Sequence, residues 1–212
     1  MKSLQHGRRG RLLPGALLAP LLLAPTLRAL EIDEASVEGR ISYYNPTQAS
    51  DTFDANFDGG ESFMLGAGGI WEFENGLYVE GSLDYYTKDG EKVYIGGGQQ
   101  VNSGFGTEIT IIPITATAGW TFLEDSAASP MVGGGIGYYL VDVPDSESEN
   151  TLGYHVAGGV EFLKDRSFGM QVELRYSIVP DAIGHAGTSL LFDEDDVGGI
   201  ALTIKGLWRY RR

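Results

Sequence analysis

The sequence predicts an all-β chain, an eight-stranded antiparallel up-and-down transmembrane β-barrel. Three observations lead there. Apolar and polar residues alternate with a period of two in segment after segment, the mark of a strand with one face in an apolar medium. Short turns and long polar loops alternate strictly between those segments, which is the asymmetry of an up-and-down barrel. Aromatic residues recur in pairs at segment ends: Trp71 with Phe73, Trp120 with Phe122 and Trp208 with Tyr210, while Val160 and Phe162 end a further segment in the same way, 40 to 49 residues separating one pair from the next. Recurrence at that spacing means a reused unit, here a β-hairpin. Aromatic endings on every second strand are what a row of rings at one membrane interface requires.

Residues 1–29 read as a secretory signal peptide and 30–212 as the barrel domain. Lys2, Arg8, Arg9 and Arg11 supply a positive start, Leu12 to Pro25 is apolar, and Ala29 is a small residue at the cleavage site. Prolines at 14, 20 and 25 interrupt a span already too short for a membrane helix. Cleavage after Leu30 is the alternative site. Without the leader the chain keeps ten basic residues against 29 acidic ones. So large a negative charge excludes nucleic acid, itself a polyanion, as a partner. The chain has no cysteine, hence neither a disulfide framework nor a thiolate metal site.

The strands follow in order. In the first, Val37, Gly39, Ile41 and Tyr43 share one face and Glu38, Arg40, Ser42 and Tyr44 the other. Phe63 to Phe73 alternates around Leu65, Ala67, Gly69 and Trp71. Leu77 to Tyr86 sets Leu77, Val79, Gly81, Leu83 and Tyr85 against Tyr78, Glu80, Ser82, Asp84 and Tyr86. Ile109 to Phe122 contains Pro113, which lacks a ladder donor and predicts a bulge or a strand start. Met131 to Leu140 is so rich in glycine that its facing stays open. Leu152 to Phe162 alternates around Tyr154, Val156, Gly158 and Val160, with His155 and Glu161 opposite. Phe168 to Ser177 sets Phe168, Met170, Val172, Leu174 and Tyr176 against Gly169, Gln171, Glu173, Arg175 and Ser177. In the last strand Ile200, Leu202, Ile204, Gly206, Trp208 and Tyr210 face away from Ala201, Thr203, Lys205, Leu207 and Arg209.

Glu74 to Gly76, Leu123 to Ser129 and Leu163 to Ser167 are short connections. Asn45 to Glu61, Thr87 to Thr107, Val141 to Asn150 and Ile178 to Asp196 are long and polar. In hydrocarbon every backbone donor and acceptor needs a partner within the protein, so such a sheet has to close.

The stretch PMVGGGIGYY from Pro130 to Tyr139, GGVEF from Gly158 to Phe162, ELRY from Glu173 to Tyr176 and the aromatic last strand carry a resemblance. Over residues 35–210 the chain resembles the small eight-stranded outer-membrane barrels, the group that includes the OmpA, OmpX and OmpW barrels. The resemblance implies a place in a Gram-negative outer membrane, insertion by the barrel assembly machinery and no cofactor. Members commonly end on phenylalanine, whereas this chain runs past Tyr210 to Arg211 and Arg212.

A soluble barrel of the lipocalin kind would also have two-faced strands. Its apolar face would have to bury the aromatic rings, and rings gathered at the two strand ends, with Tyr43, Tyr85, Tyr138, Tyr154 and Tyr176 opposite the tryptophans, are better placed for two lipid interfaces. A propeller needs four strands per repeat and finds about two.

The polar faces define an expected lumen holding Glu38, Arg40, Glu72, Glu80, Asp84, Glu161, Glu173, Arg175, Lys205 and Arg209. Resemblance to OmpA-type barrels implies that these charges neutralise one another in a narrow interior. The alternative is a gated path for small ions. Catalytic groupings are weak: His155 is followed by Val156 and Ala157 where a lipid deacylase would carry serine, and His185 lies in a loop beside Thr188, Ser189 and Asp193 to Asp196. The run Gly96 to Gly98 lacks the lysine and helix of a phosphate cradle.

The long loops hold 15 acids, among them Asp51, Asp54, Asp58, Glu61 and Asp193 to Asp196, against only Lys88 and Lys92. Such loops stay soluble and repel one another, or they bind Ca²⁺ or Mg²⁺ and bridge to the lipids and lipopolysaccharide of the outer leaflet. The expected function is a structural or surface-interaction role, adhesion or envelope stability, without catalysis. A narrow channel or transporter for small solutes is the alternative, and an outer-membrane lipid hydrolase a further one.

Overall fold

Side chains that alternate between oil-loving and polar types need two media, and the computed structural model supplies them as the two faces of a closed wall. It describes residues 32–96, 99–123, 126–143, 149–163, 167–184 and 187–211. The segment read as a signal peptide lies outside them. Eight strands, β1 (Ile32–Asn45), β2 (Ser62–Phe73), β3 (Leu77–Gly96), β4 (Gln99–Thr121), β5 (Ala128–Asp142), β6 (Thr151–Phe162), β7 (Phe168–Ile178) and β8 (Gly199–Arg211), form the barrel. Each pairs antiparallel with its neighbours in sequence, and β8 returns to β1. Closure removes the two unpaired edges that an open sheet would expose to lipid.

Alternation sets the facing. In β1, Val37, Ile41 and Tyr43 are 56%, 45% and 46% exposed, while Glu38 and Ser42 are 1% exposed. The glycine-rich β5 obeys the same rule, with Met131, Tyr139 and Val141 buried and Val132, Ile136 and Tyr138 outside. Its glycines make room for an aromatic ring. A Cβ at Gly133 would strike the Tyr78 hydroxyl, and one at Gly119, on β4, would strike the Tyr78 ring and the β5 backbone. The β2–β3 turn is made by Asn75, whose side chain accepts from the Leu77 amide at 3.0 Å, and by Gly76 at φ 78°.

Two features differ from the sequence expectations. Pro113 makes neither a bulge nor a strand start: β4 keeps an unbroken register with β5 from Thr110↔Asp142 to Thr121↔Met131. On the β3 side the ladder skips from Leu83↔Ile114 to Tyr86↔Ile111 and resumes in the same register. The missing donor therefore interrupts one side of the strand and is tolerated because the other side holds. The irregularity lies higher, between Glu91 and Val93, opposite a segment in which Gly104 takes φ 70°.

The segment from Thr87 to Thr107 is not a loop. It continues β3 and β4 as a hairpin paired from Thr87↔Thr110 to Gly96↔Gln99. Its two arms satisfy each other's backbone groups, so it needs no apolar face to persist. The first and last long connections are folded as well. The first holds a 3₁₀ turn (Thr47–Ala49) and α1 (Ser50–Phe57), and the last holds α2 (Gly187–Phe192). Helix α1 leans on the hairpin at Gly90, where a Cβ would strike the Asn56 carbonyl and the Phe57 ring.

Candidate functional site

The lumen is built in three layers. In the middle, Arg40 Nη1 lies 3.1 Å from Glu38 and 2.9 Å from Glu80, and its Nε lies 3.1 Å from Asp84. Arg175 reaches Glu80 at 3.2 Å and Glu173 at 3.0 Å. Lys205, with no exposed surface, sits 2.6 Å from Glu80, 2.8 Å from Glu173 and 3.7 Å from Glu38. Three bases from β1, β7 and β8 thus share four carboxylates from β1, β3 and β7. The cross-strand neighbours of Glu38 and Arg40 on β2 are Gly68 and Gly66, and side chains there would collide with Glu38 and Asp84. Small residues on one strand give the charged chains of the next their space.

Hydroxyls surround this network. Ser42 and Thr203 lie 2.8 Å apart, Ser82 and Thr115 2.7 Å, and Gln171 donates to Glu173 at 3.3 Å. His155, 3% exposed, pairs through Nε2 with the Thr117 hydroxyl at 2.8 Å. Neither a free nucleophile nor a route for substrate reaches it.

Toward the short-turn end Arg209 bridges Glu34 at 2.6 Å, pairs with Glu161 and donates to the Leu163 carbonyl at 3.1 Å. Ile70, Tyr78, Met131 and Leu207 form a small apolar cluster in the same interior.

Toward the long-loop end the interior turns apolar. Tyr44, Met64, Tyr86, Ile111 and Tyr139 line the wall, and Phe53 and Phe57 of α1 pack down on them with Val179, Ala182 and Val197. Phe53 is 1% exposed. Tyr86 donates to the Gly60 carbonyl and Tyr44 to that of Val197, which tie the wall to both folded loops. Between this lid and the ion pairs lies a cavity of about 20 Å³, lined on one side by Arg40, Asp84 and Arg175 and on the other by Tyr44, Met64 and Ile111. That is room for about one water molecule.

All nine charged residues named for the lumen are buried there, and Glu72 faces the same way, half-buried near the short-turn end. Glu34 is a further member, at the start of β1, before the clean alternation begins. The lid is the larger omission. Its one signal is Phe53 and Phe57, four apart in a polar segment, which places both on one face of a helix turn. Two loop acids serve the backbone. Glu194 accepts from the amides of Asp51 at 3.1 Å and Thr52 at 2.7 Å, capping α1, and Asp196 accepts from those of Val179 at 2.7 Å and Gly198 at 2.6 Å. Among the described residues no cluster is arranged to hold a metal ion. His185, Asp145 and Glu147 lie outside the described residues.

On the outer wall, Trp71, Trp120, Phe122, Trp208 and Tyr210 are exposed toward the short-turn end, with Phe73 and Phe162 half-exposed beside them. Tyr43, Tyr85, Tyr138, Tyr154 and Tyr176 project outward toward the other end, and Tyr43 meets Phe63 edge to face at 5.8 Å.

The family model for the outer membrane protein beta-barrel domain matches residues 15–203. The chain belongs to that family. As an outer-membrane β-barrel protein it is similar in fold to OprG from Pseudomonas aeruginosa, at a TM-score of 0.58 and 12% identity, covering 86% of this chain and 98% of that one. It is also similar to Neisserial surface protein A, at 0.50 and 13%, covering 84% and 96%. At such identities the likeness concerns the fold alone. No curated protein matches the sequence. Together the family and the closed wall of outward apolar side chains place this protein in the outer membrane of a Gram-negative cell, which it crosses with strands.

Proposed function

We propose that this outer-membrane barrel is a non-enzymatic structural protein whose long-loop end faces outward and serves surface interaction, adhesion or envelope stability. One observation carries the reading: the lumen is shut at two levels, by ion pairs across its middle and by an apolar lid at its mouth. A solute would have to break both. The tryptophan row then lies at the periplasmic interface and the tyrosine row at the outer one, where amphipathic rings are favoured. The acidic loops are suited to hold Ca²⁺ or Mg²⁺ against the phosphates of lipopolysaccharide. Insertion would rest with the barrel assembly machinery.

Planar bilayers test the reading. The purified protein is expected to give no steady current, and Glu173→Gln none either. A persistent ion-selective current that changes selectivity in Glu173→Gln would replace the structural reading with a channel. Release of fatty acid from lipid A by the purified protein would replace it with a hydrolase.

A further inference from the structure

We infer that α1 is a removable stopper latched by Glu194, and that its release opens the upper lumen to the cell surface while the ion-paired layer below stays shut. The stopper is distinct from the barrel wall. Phe53 and Phe57 reach the interior from a connection between strands, and no strand hydrogen bond depends on them. The helix is short, and isolated helices of eight residues are unstable in water. Its own N-cap position, Ala49, makes no side-chain cap. The missing cap comes from the opposite side of the mouth, where both Glu194 carboxylate oxygens accept amides at the start of α1.

The latch has a second point. Asn56 donates to the carbonyl of Thr52 in its own helix and to the hydroxyl of Thr188 in α2. Every tie that holds α1 against α2 and the last loop is polar and near the surface, where water can replace it, whereas the tie beneath is burial of two rings. Such a segment opens at lower cost than the wall. What it uncovers is the cavity between the tyrosines and the ion pairs, with Ser42, Ser177 and Thr203 among its lining residues.

The experiment uses the native lack of cysteine. Ser42→Cys places one thiol beneath the lid at a site 1% exposed. Its reaction with a membrane-impermeant methanethiosulfonate is timed on the full protein in lipid nanodiscs, and Leu190→Cys, 61% exposed, sets the rate of an open site. In the Ser42→Cys background Glu194→Ala and Phe53→Ala are each expected to raise the rate tenfold or more. Asp54→Ala, on the exposed side of α1, is expected to leave it unchanged. Heat-modifiable gel mobility confirms that each barrel is folded. Equal rates with and without Glu194 would overturn the latch. A Ser42→Cys rate equal to that of Leu190→Cys would overturn the stopper. Bilayer conductance is independent of both, since the lower layer alone blocks it.

Discussion

Lys205 has no contact with water and makes its ion pairs entirely inside the lumen. Removing one partner of a buried pair strands the other charges, at a cost of roughly 3–5 kcal/mol. Lys205→Ala is therefore expected to lower stability by that order in a urea refolding titration. The network is not symmetric, because its three bases face four carboxylates. Asp84→Asn removes the surplus charge and is expected to cost much less than Lys205→Ala in the same titration. Comparable losses would argue against a shared network. Gly119 is under a different constraint. Its missing side chain would meet backbone atoms of β5 that cannot rotate away, so Gly119→Ala is expected to destabilise by about 1–3 kcal/mol.

Among the elements, β8 presents Leu202 outward, 50% exposed, and Thr203 inward with no exposure. Arginine at Leu202 is expected to cost about 2–4 kcal/mol near the bilayer midplane, read as a loss of folding in lipid vesicles. Leucine to phenylalanine there should cost little. The strands were legible because one wall face meets lipid and the other a polar interior, and a period of two records that contrast directly. The mouth was not. There the interior is apolar and the exterior meets water, so Tyr44, Tyr86 and Ile111 reverse the polarity that Glu38, Glu80 and Asp84 show on the same sides of the same strands or their neighbours. The hairpin above Tyr86 was hidden for a related reason. Both faces of its arms meet polar surroundings or a helix, and no alternation is required of them. Of the lumen, membership could be read from facing. Which acid meets which base could not, since pairs such as Glu80 with Lys205 depend on how the wall curves.

For the whole molecule the orientation is the first matter to test. Cysteine at Leu190 is expected to react with an impermeant reagent on intact cells, and cysteine at Asn75 only after the outer membrane is opened. The reverse pattern would invert the barrel. Closure of the ring carries a consequence for the order of assembly. Glu38, Arg40 and Glu80 belong to the first three strands, but Lys205 arrives on the last, 125 residues after Glu80. Until β8 meets β1, the early strands carry more negative than positive charge toward a space still open to water. The final strand therefore brings the neutralising cation together with the last row of backbone bonds. A chain that stalls one strand short is left with an unsealed seam and an unbalanced interior at once, so the last step of folding is also the step that makes the interior tolerable to the bilayer.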